Sequence, residues 1–148
     1  MALEYKLTLA GDIPLDQVGA RAFPDADERP SGRWRSADHK ERYGYDVSVL
    51  GGRNGYLELL TDDGSWEWEP EACVRLVFNL DKFAEDFRRP VTGMLTVVRR
   101  VLDTGPEDAV LDFNGDVMLF IRRDGVLTKH RRETWWKAYP SGDQLIPG

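Results

Sequence analysis

Leu3, Tyr5, Leu7 and Leu9 alternate with Glu4, Lys6 and Thr8, the two-residue period of a strand with one buried face, which predicts a first strand over residues 2–9. After Gly11, Pro14 opens a short helix that runs to about Ala22 with Leu15 and Val18 facing inward, and Pro24 stops it. Residues 24–42, PDADERPSGRWRSADHKER, hold two prolines, many charges and one large apolar residue, Trp34, and predict a long mobile loop. Strand chemistry returns at Tyr43: YGYDVSVL and YLELLT, separated by Gly51-Gly52 and Arg53-Asn54-Gly55, predict a hairpin. A turn at Asp62-Asp63-Gly64 leads into Ser65-Trp66-Glu67-Trp68-Glu69, and Ala72 to Leu80 forms the next strand.

Phe83, Phe87, Val91, Met94, Val98 and Val101 then recur at threes and fours, an apolar stripe that predicts a helix over about 81–103 lying on a sheet. Asp81 is a candidate cap, Arg99 and Arg100 stand near the end, and Gly105-Pro106 lies just beyond. Pro90 interrupts the hydrogen-bond ladder, so the stripe is either kinked or split, with a second helix carrying Pro90 in its first turn. Asn114-Gly115 and Asp124-Gly125 are strong two-residue hairpin signals and predict antiparallel strands at about 108–113, 116–122 and 126–130. With a two-residue loop at Asn114-Gly115, Leu111 pairs with Met118 and Ala109 with Phe120 on one face, and Val110 pairs with Leu119 on the other. Both faces are apolar, so one packs under the helix and the other needs the N-terminal elements, a second subunit or a ligand as cover. Trp135-Trp136 precedes a tail at 139–148, expected to be loosely ordered.

The expected architecture is a single α+β domain, residues 1–148: one antiparallel sheet of about six strands, one long helix on one face and a short N-terminal helix. Composition agrees with a folded chain, since 41% of the 148 residues are apolar and 31% charged. No stretch approaches the ~20 consecutive apolar residues of a membrane helix, and the alternating N-terminus is unlike a secretory signal, so a cytoplasmic location without membrane association is expected. The net charge of −6 argues against nucleic-acid binding, where a basic footprint supplies most of the affinity, and is compatible with a basic partner. Cys73 is the only cysteine and reads as a small buried hydrophobe.

Catalytic chemistry is hard to assemble. His39 and His130 have no metal-binding spacing and read as exposed or edge histidines; no metal or cofactor is expected. There is no GxSxG elbow, phosphate-cradling GxxxxGK[ST] loop or GxGxxG, and the Gly51–Gly55 stretch lies between strands. Asp108, Asp112 and Asp116 are spread along a hairpin, and the basic run from Lys129 to Arg132 reads as a solvated face. Thr61 to Glu71 is more suggestive: five acids, no base and two tryptophans at alternate positions. In a strand, Trp66 and Trp68 point to one face and Glu67 and Glu69 to the other. The tryptophans either fill a core face or serve as anchors for a basic partner, and Asp62, Asp63, Trp66, Glu67, Trp68 and Glu69 are the candidate partner-binding residues.

Several phrases resemble the immunity proteins of the swarming-inhibition toxin type, within bacterial polymorphic toxin systems: LEYKLTLAGDIP near the start, VRLVFNLDKF at Val74 to Phe83, GPEDAVLDFNGDVMLFIRRDGVL at Gly105 to Leu127, and Trp135-Trp136 after it. The likeness covers both ends and is clearest over the second half, whereas Ala22 to Arg42 matches nothing and is a second candidate for partner specificity. The resemblance implies a small cytoplasmic protein, not an enzyme, that binds and blocks a cognate toxin made beside it. Many such toxins are nucleases with basic grooves, which an acidic inhibitor can occupy. The alternatives are a small ligand-binding or enzymatic α+β domain with a pocket between helix and sheet, and a homodimer formed through the uncovered sheet face.

Overall fold

The first strand takes the alternation literally. In the computed structural model, which describes residues 3–148, β1 (Leu3–Ala10) buries Tyr5, Leu7 and Leu9 on one face; residue 2 of the expected strand lies outside the described residues. Helix α1 (Leu15–Ala22) follows with Val18 and Ala22 buried. The segment 24–42, expected as a loop, contains a 3-10 turn (Ala26–Glu28), strand β2 (Ser36–His39) and most of a one-turn helix α2 (Lys40–Tyr43). Strands β3 (Tyr45–Arg53), β4 (Leu57–Thr61), β5 (Gly64–Trp68) and β6 (Ala72–Leu80) come next, then helix α3 (Arg88–Asp103). Strands β7 (Ala109–Phe113), β8 (Val117–Arg123) and β9 (Val126–Lys129), a π-helical turn (Arg132–Trp136) and helix α4 (Pro140–Leu145) complete the chain.

The sheet has nine strands, not six, in the order β2-β3-β6-β1-β7-β8-β4-β5, with β9 also paired to β8. It is antiparallel except where β4 meets β8 through one parallel bridge, Leu60 to Val117. Tyr5 and Leu7 face Phe78 and Leu76 of β6, and Leu7 faces Leu111 of β7, so one row of apolar side chains runs across the central strands. Val91, Met94, Leu95, Val98 and Val101 of α3 complete this core.

Further expectations are corrected. The hairpin between YGYDVSVL and YLELLT does not form: β3 continues through Gly51 and Gly52 to Arg53 and pairs with β6 over nine residues, where Val47 meets Phe78 and Val49 meets Leu76. Those contacts give β3 a far more apolar partner than β4 offers. The helix starts at Arg88, not near Asp81, because the Asp81 carboxylate accepts from the Phe83 N–H in a local turn while Asp86 accepts from the Arg88 N–H at 2.9 Å. Pro90 therefore sits in the first turn, where its missing donor is harmless, and Phe83 is left 82% exposed. The β7–β8 register differs as well: Leu111 faces Phe120 and Ala109 faces Arg122, with a bulge between Leu111 and Asp112. Asn114 and Gly115 do adopt positive φ, but the bulge places Leu119 and Phe120 together in the main core.

Arg122 reaches the end of α3, donating to the carbonyls of Leu102, Gly105 and Glu107, where a cation complements the helix dipole. The tail is tied down: Ile146 has no exposed surface, and the Lys129 ammonium donates to the Asp143 carboxylate at 2.6 Å. The basic run beginning at Lys129 is accordingly no solvated face throughout, for Lys129 and His130 are both buried.

Candidate functional site

Cross-strand register decides what each residue of the acidic stretch can do. The turn Asp62-Asp63 closes β4 on β5 so that Thr61 faces Gly64, Leu59 faces Trp66, Glu58 faces Glu67 and Leu57 faces Trp68. The odd positions of β4 and the two tryptophans therefore share one side of the hairpin. That side turns back over the sheet face opposite α3, where Trp66 and Trp68 pack against a second small core of Leu59, Val110 and Met118, with Ile121 beside them. The two indole rings lie 5.9 Å apart and are partly buried. The cover that the second face of β7–β8 was expected to need is thus supplied at Val110 and Met118 by the chain itself.

Glu67 points the other way with Glu58, and Glu69 is exposed just beyond β5. Asp62 is committed to holding the hairpin: its N–H donates to Nδ1 of His130 at 3.2 Å, and its carboxylate accepts from the Arg131 N–H at 3.1 Å. Asp63 is exposed at the turn and lines an open groove of about 560 Å³ between this hairpin and β8–β9. Trp66, Met118, Ile121 and Val126 give the groove apolar walls, and His130 stands at its end. The six candidates are therefore contiguous in space but divided among three tasks: latch, buttress and outward display.

Three further residues of the hairpin were missed by sequence reasoning. Tyr56, Glu58 and Leu60 occupy the same side as Glu67; Tyr56 is 56% exposed and Leu60 52%. The Tyr56 hydroxyl donates towards both Glu67 at 2.9 Å and Glu58 at 3.1 Å, and this hydrogen bonding to Glu67 pushes its pKa up to about 12. Fixing the turn at two residues would have placed Glu58 opposite Glu67 from sequence alone.

The remaining candidate chemistry disperses. Nε2 of His39 donates to the Glu28 carbonyl at 2.8 Å and its ring packs beside Phe23, Tyr43 and Tyr45. Asp112 is fully buried, with Oδ1 accepting from the Gly115 N–H at 2.9 Å; burial pushes its carboxyl up to about 6. Among the described residues no group of three His, Cys, Asp or Glu side chains could hold a metal ion. Between α3 and the sheet the space is filled, since Leu7, Leu9, Met94, Leu95 and Val98 have no exposed surface. That packing counts against a ligand pocket there. No described helix is long and apolar enough to cross a membrane.

The class of protein is fixed by similarity along nearly the whole chain. A family model described as SitI3-like matches residues 3–140, and the chain belongs to that family. No curated protein and no solved structure gives a significant match.

Proposed function

We propose that this chain is the immunity partner of a polymorphic toxin, which it neutralises by direct protein contact in the cytoplasm without performing catalysis, and that the β4–β5 hairpin carries the contact. Membership of the SitI3-like family supports the role. The observation that carries the choice of surface is the construction of the hairpin. It is inserted between two strands that pair with each other, joined to β8 by a single bridge, and braced from beneath by Trp66 and Trp68. An element so held presents Asp63, Glu67 and Glu69 to a partner on a braced support, with little backbone ordering left to oppose binding. A basic substrate groove, such as a nuclease presents to nucleic acid, is a suitable counterpart.

Co-expression tests the role. The toxin domain encoded beside the gene is expressed with and without this chain, and growth and co-purification are scored. Restored growth together with a stable complex is expected; a toxin that kills equally in both cases refutes the proposal.

A further inference from the structure

We infer that the outward side of the β4–β5 hairpin, built from Tyr56, Glu58, Leu60 and Glu67, is the docking face, and that its occupant is a lysine- and arginine-bearing surface of the toxin domain. The face presupposes the immunity role proposed above.

Glu58 and Glu67 are directly opposite in an antiparallel pair, an arrangement in which like charges destabilise a sheet. Neither forms an ion pair with a basic side chain of this chain among the described residues, and neither do Asp63 and Glu69 nearby. Their shared neighbour is the Tyr56 hydroxyl, which has one proton and cannot satisfy both carboxylates at once; the Ser65 hydroxyl adds one long contact to Glu58, at 3.4 Å, and none to Glu67. A partner cation set between them would remove the repulsion and add charge-assisted hydrogen bonds.

The same side exposes apolar surface that the fold does not use. Tyr56 and Leu60 are two of the six large hydrophobic residues left exposed in the described chain, and they flank the carboxylate pair on one two-stranded face. Aromatic and aliphatic anchors beside unpaired charge are suited to a protein contact, with the anchors supplying desolvated area and the charge steering the encounter. The tryptophans are not these anchors, because they face the second core.

Charge also selects the occupant. Nucleic acid and anionic lipid are repelled by this face. A second copy of the chain in a two-fold contact would lay carboxylates against carboxylates. A basic protein surface meets both the charge and the exposed rings.

The test uses the full chain and the toxin domain encoded beside its gene, with binding kinetics measured at about 50 and 300 mM salt. The double variant Glu58→Gln with Glu67→Gln is compared with Leu60→Ser and with Trp68→Phe. The glutamine pair should lose about 30-fold or more in affinity at low salt, mainly in association rate, and should show a flatter salt dependence. Its Tm should rise, because removing like charges relieves the pair, a gain that separates lost docking from lost folding. Leu60→Ser should weaken binding through faster dissociation, and Trp68→Phe should bind within a few-fold of the parent.

Unchanged affinity in both the glutamine and the Leu60 variants overturns the docking face while the immunity role stands. Binding lost only in Trp68→Phe would move the contact to the tryptophan side of the hairpin and overturn it equally. A parent chain that does not bind the toxin at all removes the immunity role and the docking face together.

Discussion

Asp62 and His130 lock the acidic hairpin to the far end of the sheet: the Asp62 N–H donates to Nδ1 of His130 at 3.2 Å across 68 residues of sequence. The His130 backbone N–H donates to the Leu119 carbonyl, so the main chain that carries the imidazole is held on the bulged part of β8. His130→Ala should free the turn without disturbing the main core. We expect a loss of about 1 kcal/mol and amide exchange accelerated in residues 57–68 but not in α3. Uniform acceleration across the sheet would show that the latch supports the whole fold.

Trp66 is a structural prop in the second core, and its truncation should be felt mainly as instability. Trp66→Ala should cost about 2–3 kcal/mol, read from chemical denaturation, because it uncovers Leu59 and Met118. A variant as stable as the parent would return the residue to the list of direct contacts.

Asp112 gives the protein a pH dependence of unusual sign. Its folded-state pKa, about 6, lies above the ordinary 3.8 because burial outweighs the nearby Lys6 charge and the hydrogen bond from the Gly115 N–H. The folded chain then holds this proton more tightly than the unfolded chain, so this group's contribution favours folding at low pH and declines as pH rises from about 4 to about 6. Asp112→Asn retains an acceptor for Gly115 and removes the charge. Its Tm should exceed the parent's at pH 7, by the equivalent of up to about 3 kcal/mol, with the difference vanishing near pH 4. Equal shifts at both pH values would contradict this origin.

Lys129 anchors the C-terminal helix. Its ammonium meets the Asp143 carboxylate at 2.6 Å and the Asp143 carbonyl at 3.0 Å, and lies 4.5 Å from the centre of the Trp136 ring. Lys129→Ala should cost about 2 kcal/mol and expose residues 139–148 to limited proteolysis. Resistance equal to the parent's would mean that Ile146 alone seats the tail.

Where local pattern and burial coincide, the sequence is easy to read: β1 follows its alternation, α1 its proline start, and Asn114-Gly115 its positive φ. The errors arise where a distant partner decides. Phe83 fits a helical stripe, yet nothing lies opposite it, and Asp81 spends its carboxylate on a local turn. Gly51 and Gly52 look like a break until β6 is beside them. Leu119 shifts a register because a bulge gives it a place in the core. The candidate residues were located as a segment, and their alternation was legible, but the direction in which Trp66 faced depended on Val110 and Met118, more than 40 positions away.

Strands β3 and β6 pair over nine residues and carry the β4–β5 hairpin between their ends. The insertion is closed at its base, so its length and side chains can change while the rows that build the main core keep their register. On the docking role proposed above, exchange of this one hairpin would change the partner while the main core kept its shape.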